Sequence, residues 1–361
     1  MNIAIIGAGP IGCYAGYLFA QAGHSVTIYE NHPKIGLPIQ CTGLLTHDFD
    51  QFGLPTESFL VNTLTRIKVH SLSHSTEIEQ REYLVCRIKF DNFFGNLARN
   101  AGATIYLSHS FTRKEGEELV IKDSKNEVEV RIKPDLVIAA DGPLSPTAKA
   151  YGFYHPERVN YYGIQATVEG QFDPDTYEAH FGEEVCPGLF AWIVPESKTT
   201  ARVGVATLKD SRRYFDRFMK EKGFKATAIQ AGTIPVYSPL QELSRENCYV
   251  LGDAAGFVKA TTLGGLIPGL MQTRILVDCL TSGKNYSNEI APLRRRLRMH
   301  LRMHTMFERF KDKDWDRLVG YMNQPRIQKV LAQHTRENPF PILVKSLVQE
   351  PRFAYFAKFL V

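Results

Sequence analysis

Residues 2–12 read NIAIIGAGPIG. The run NIAII is short, apolar and without alternation, as expected of a parallel strand buried on both faces. A glycine-rich turn follows, and then a helix that the spacing carries to about Ala22. Gly7, Gly9 and Gly12 fill the three positions of GxGxxG, with Pro10 inside the turn. The first glycine permits the tight turn, the second lets backbone approach a pyrophosphate, and the third lets the helix pack close to the strand. The helix start then offers free N–H groups and a positive dipole end to phosphates. A second strand, 26–29, leads to Glu30, whose carboxylate suits ribose hydroxyls and would repel a 2′-phosphate. The stretch therefore predicts a bound dinucleotide, FAD or NAD ahead of NADP.

Outward from this unit, 64–79 alternates and predicts β-structure. Residues 89–101 predict a helix with Phe90, Phe93, Phe94, Leu97 and Ala98 on one face. Residues 117–132 alternate around KDSKNE and predict a hairpin, and 135–142 (DLVIAADG) predicts another buried strand. The chain is strand-like again from about 160 to 207. CYVLGDAAG, 248–256, predicts a third apolar strand, and beyond 264 the pattern is helical. The fold class is α/β: a Rossmann-like dinucleotide domain, an inserted antiparallel β-rich region and a helical C-terminal region.

The 361 residues are 44% hydrophobic and 22% charged, ordinary globular usage. A net charge of +5 permits anionic partners but lacks the concentrated basic face of a nucleic-acid binder. Six scattered cysteines without a CxxC pair supply no ligand set for zinc or an iron–sulfur cluster, so no metal is expected. They suit a reducing cytosol. The apolar N-terminus lacks a basic leader, and no apolar run reaches the roughly 18 residues of a membrane span.

The later motifs favour FAD. Asp141-Gly142 ends one strand and Gly252-Asp253 another, where an aspartate can accept a ribityl hydroxyl. Gly264-Gly265 opens the next helix, where backbone N–H groups and the helix dipole suit a flavin pyrimidine and the charge of its reduced form. The order GxGxxG, DG, GD resembles the flavoprotein group typified by the aromatic hydroxylases. Within it the chain is most similar to the geranylgeranyl reductase family, over most of residues 1–280. VCRIKFDNFFGNLARNAGA (85–103) matches that family's segment and implies a cofactor contact at Arg87. CPGLFAWIVP lies on its PxxYxWxFP pocket pattern through Pro187, Phe190, Trp192 and Pro195; Phe190 stands for Tyr, which removes a hydroxyl, and Val194 for Phe. PIQCTGLL fits the loop in which the family carries a cysteine followed by glycine, here Cys41 and Gly43.

The resemblance implies a p-hydroxybenzoate hydroxylase-like arrangement. The FAD-binding domain would comprise 1–60, 84–155 and 245–283, the substrate domain 61–83 and 156–244, and the helical region 284–361. It also implies reduction of isoprenoid C=C bonds in archaeal-type lipids or their precursors, with the alkene held against the flavin in a dry pocket. Cys41 is the candidate catalytic residue, as proton donor, pocket wall or redox thiol. The electron donor is NAD(P)H or a ferredoxin. In PLRRRLRMHLRMHTMFERF, Arg294, Arg295, Arg298, Arg302 and Arg309 fall on one side of a helix and Leu293, Leu297, Leu301, Met303 and Phe307 on the other. Such a helix packs on its own domain or lies on an anionic membrane surface. His300 and His304 fall towards the apolar side with no visible carboxylate partner and are taken as packing residues. The expected location is cytoplasmic, with a peripheral position on the cell membrane left open. Three other readings of the scaffold stay open: a flavin monooxygenase or halogenase, an electron carrier to a membrane quinone, and a flavin-binding protein without catalysis.

Overall fold

The structure is a computed structural model, and it describes residues 1–154 and 158–360. The expected domain boundary at 155/156 lies outside the described residues. Asn2–Ile6 sits at the centre of a six-stranded sheet, in the order Ser244–Arg245, Cys248–Val250, Leu136–Ala139, Asn2–Ile6, Ser25–Glu30, Thr104–Leu107. All pairings but the first are parallel. Ile3, Ala4, Ile5 and Ile6 and the whole of Leu136–Ala139 are buried, which explains the lack of alternation in both runs. The helices Pro10–Gln21, Arg87–Asn100 and Leu266–Ser282 pack around this sheet. Phe90, Phe94 and Ala98 of the second helix join the shared core.

A second sheet has eight strands, in the order Ala226–Pro235, Asn160–Glu169, Thr200–Thr207, Cys186–Pro195, Thr176–Gly182, Leu60–His70, Ser75–Val85, Leu44–Thr46. It is antiparallel except for one parallel seam that pairs Thr176 with Arg66 and His180 with His70. Alternation assigns its two faces. Leu189, Ala191, Ile193, Val203 and Val205 point outward and are covered by Phe215, Phe218 and Met219 of the helix Ser211–Lys222. The other face turns toward the dinucleotide unit. A three-stranded sheet, His109–Glu115, Glu118–Asp123 and Val128–Ile132, contains the expected hairpin.

The sequence reading assigns no element to 211–235. The helix there carries only a sparse apolar stripe among charges, and ATAIQAGTIP is an exposed edge strand with small residues. Past 283 the chain forms the helices Ala291–Phe307, Asp312–Met322, Pro325–Gln333 and Pro339–Gln349, and ends in the 3-10 segment Pro351–Phe359. Met306, Phe310, Trp315 and Phe356 join the first two of these helices to the terminal 3-10 segment. Among the described residues no helix is long and apolar enough to cross a membrane.

Two expectations for Ala291–Phe307 need correction. Arg294 is not on the solvent face: it turns inward and donates to the Pro239 carbonyl at 2.6 Å, because the 237–241 loop offers unpaired backbone oxygens there. His304 does have a carboxylate partner, Glu308 one turn on, with Nε2 3.3 Å from Oε1, and it also pairs with the Tyr161 hydroxyl.

Candidate active site

One cavity of about 720 Å³ runs from the glycine-rich turn to the inner face of the large sheet. Gly7, Gly9, Pro10 and Glu30 line one end. The Gly7 N–H donates to the Tyr29 carbonyl at 2.8 Å, tying the turn to the next strand. Gly12 lies beneath the turn, where a Cβ would stand 2.0 Å from the Gly7 carbonyl oxygen. At Gly9 a Cβ would meet no heavy atom within 4 Å and would project into open space. Glu30 accepts the Ala8 N–H at 2.8 Å and the His32 N–H at 2.9 Å, so it is fixed in place with lone pairs to spare.

The two aspartates are used differently. Asp141 accepts the Thr147 N–H at 3.0 Å and the Ser145 hydroxyl, so its carboxylate already holds the turn after its strand. No described group donates a hydrogen bond to the Asp253 carboxylate, which lines the cavity and is raised above its usual value by burial against the pull of Arg87 and Arg158. Gly142, Gly264 and Gly265 also line it, while Gly252 lies behind, with its N–H on the Gln272 side chain at 2.9 Å. Thr262 Oγ1 is buried there without a partner. A bare glycine turn, an unengaged carboxylate, an orphan hydroxyl and a helix start form a donor and acceptor set that fits FAD.

The Cys41 loop also lines the cavity. Its Sγ accepts the Gly43 N–H at 3.3 Å. Arg87 faces it while donating to Asp91 at 3.0 and 3.1 Å. Burial disfavours the Arg87 charge, but Asp91 and the Cys41 thiol outweigh it and hold the guanidinium above its ordinary range. Next to Cys41, the Thr42 hydroxyl donates at 2.6 Å to Gln165 Oε1, which also accepts the Trp192 indole N–H at 3.0 Å. Arg202, nearly buried, reaches the Thr42 carbonyl and the Val85 carbonyl, the latter at 3.0 Å.

Phe190, Trp192 and Val194 line the far chamber with Ile67, Val69 and Phe181. Pro187 and Pro195 lie outside the lining, Pro187 being exposed and Pro195 buried. Gly204 makes room for the indole, since a Cβ there would lie 2.4 Å from Trp192 Cζ2 and 2.7 Å from the Ile164 carbonyl oxygen. Gly204→Ala should therefore displace Trp192 and cost about 1–3 kcal/mol. Chemical denaturation checks this, and unchanged stability with an unchanged Michaelis constant would refute it.

Residues 5–53 match the NAD(P)-binding Rossmann-like domain model. Over 291 residues the chain is 31% identical to digeranylgeranylglycerophospholipid reductase 2 of Methanothermobacter thermautotrophicus, covering 73% of this chain and 74% of that protein. The chain belongs to the geranylgeranyl reductase family. A geranylgeranyl bacteriochlorophyll reductase-like protein of Thermoplasma acidophilum superposes with a TM-score of 0.86 at 21% identity, over 100% of this chain and 99% of that one. The flavin-dependent halogenase CmlS shares the fold with a TM-score of 0.66 at 15% identity, over 97% and 78% of the two chains.

This member of the reductase family also carries cavity residues that its motifs did not reveal. Lys259 and Glu337 form a buried ion pair, and Glu337 also accepts the Thr46 hydroxyl at 3.1 Å. Arg336 pairs with the fully buried Glu82. The one visible signal was a lysine inside the apolar GFVKATTLGG. His300, buried and hydrogen-bonded to Thr261 at 2.7 Å, is pushed down to about 3 by burial and then by Lys259. The unfolded chain takes up this proton near the ordinary histidine value, about 6.5, and the folded chain does not. Stability contributed by neutral His300 is thus fully present above about pH 6.5 and is lost toward pH 3, at up to about 1.4 kcal/mol per pH unit. His300→Gln should flatten that slope in denaturation at about pH 7 and about pH 5. Equal slopes in both proteins would refute it.

Proposed function

We propose that the chain is an FAD-dependent reductase that adds hydrogen across C=C bonds of geranylgeranyl chains in archaeal-type glycerophospholipids. The observation that carries this reading is the continuous cavity, with the glycine-rich turn and Glu30 at one end and an apolar chamber walled by Phe190, Trp192 and Val194 at the other. An isolated alkene lacks a carbonyl to receive charge, so hydride delivery must be matched by a proton. FAD, held by the Gly7–Gly12 turn, Glu30, Asp253 and the Gly264-Gly265 backbone, would supply the hydride when reduced. Cys41 lines the same cavity beside Arg87 and would give the proton. The thiolate left behind would be met by the Gly43 N–H and Arg87. Gln165 and Arg202 position the loop, and the apolar lining excludes water. Lys259, beside the Gly264-Gly265 edge, would favour the negative charge of a reduced cofactor.

The test is anaerobic. Enzyme reduced by dithionite should regain its yellow flavin absorbance when a digeranylgeranyl glycerophospholipid is added, and should not with the saturated lipid. Oxygen consumption coupled to NAD(P)H oxidation, with no anaerobic reoxidation by the lipid, would favour a monooxygenase on the same scaffold. NAD(P)H and reduced ferredoxin are separated as donors by replacing dithionite with each in turn.

A further inference from the structure

The helix Pro339–Gln349 leaves an apolar face without cover. Phe340, Leu343, Val344, Leu347 and Val348 are 59%, 38%, 46%, 46% and 72% exposed. Their spacing of i, i+3, i+4, i+7 and i+8 places them on one side of the helix. The opposite side, with Pro339 and Ser346 buried, packs on Ala291–Phe307 and Pro351–Phe359. A continuous apolar stripe of this size is uncommon on a protein surface without a partner.

The neighbouring helix says what the partner is. Ala291–Phe307, packed directly against this helix, exposes Arg295, Arg298 and Arg302, none of which forms an ion pair among the described residues. Lys345 adds a cation on the helix itself. An exposed apolar face on one helix and solvated arginines on the helix packed against it match an anionic lipid surface rather than a soluble partner. The helix also begins directly after Arg336 and Glu337, which line the cavity, and Met303 and Phe307 of its packing partner line it too.

We propose that Pro339–Gln349 seats the enzyme on an anionic bilayer, with its apolar face among the acyl chains and the arginines of the neighbouring helix at the headgroups. The purpose of this contact rests on the lipid-substrate reading, but the contact itself is measurable without turnover. Wild-type protein should cosediment with vesicles of phosphatidylcholine containing about one third phosphatidylglycerol. Val344→Glu/Val348→Glu, at exposed positions, should bind at least about tenfold more weakly. It should keep the wild-type melting temperature and its turnover of detergent-dispersed lipid. Arg295→Gln/Arg298→Gln/Arg302→Gln should weaken binding to these vesicles and not to vesicles of phosphatidylcholine alone. Wild-type protein left in the supernatant, or undiminished binding by the valine variant, would overturn the proposal. So would a wild-type dimer that the valine variant dissociates, since the face would then belong to a second copy. Vesicle binding without any lipid turnover would sink the functional reading and leave the docking surface standing.

Discussion

Gly9→Val should fold, melt like the wild-type apoprotein and bind FAD at least about a hundredfold more weakly, a loss of roughly 3 kcal/mol. The reason is geometric. Gly9 has φ −66° and ψ 173°, a conformation open to any residue, and the N–H of Cys13 bonds its backbone carbonyl at 2.9 Å, which the substitution leaves intact. No heavy atom of the protein lies within 4 Å of the new Cβ. Only a pyrophosphate seated on the turn would meet the valine. Gly12→Val should behave in the opposite way. Its Cβ would stand 2.0 Å from the Gly7 carbonyl oxygen, so strand and helix must part and the protein should fail to fold. Calorimetric titration with FAD and melting of the apoproteins separate the two cases. Gly9→Val protein that retains wild-type FAD affinity would remove the pyrophosphate from this turn.

Cys41→Ala should lower kcat by about 10²- to 10³-fold with little change in FAD affinity, the range general acid catalysis commands. The thiol is held as an acceptor from Gly43 N–H at 3.3 Å and faces Arg87, so the proton it gives up leaves a charge that is already matched. Cys41→Ser keeps the shape, but a hydroxyl is a weaker acid than a thiol, so it should recover only part of the loss. Equal kcat in the three proteins would reduce Cys41 to packing.

The sequence exposed those parts of the fold and site whose residues are neighbours in the chain. The unit carrying Gly7, Gly9, Gly12 and Glu30 was legible because a strand, glycine turn, helix and second strand follow one another at fixed spacing, and the structure builds that unit. Cys41 was placed near the chemistry by resemblance, since a lone thiol in a loop has no spacing to read. Gln165, Arg202, Lys259, Arg336 and Glu337 were not legible. Each is one polar residue in an unremarkable stretch and acquires meaning only through distant partners. Arg202 meets the Thr42 carbonyl from 160 positions away, and Lys259 meets Glu337 from 78. The basic helix misled for a related reason: helical spacing gave Arg294 a solvent face, whereas the 237–241 loop packs there and takes its charge inward. The exposed stripe of Pro339–Gln349 was equally hidden, because sequence periodicity marks an apolar face without saying whether anything covers it.

The most direct test of the account is the mass of the product. Enzyme reduced under nitrogen is given digeranylgeranyl glycerophospholipid, and the lipid is recovered and weighed by mass spectrometry. The account predicts mass increments in steps of two hydrogens, with the increments strongly slowed in Gly9→Val and Cys41→Ala. A lipid recovered at unchanged mass from reduced, FAD-loaded wild-type enzyme would contradict it.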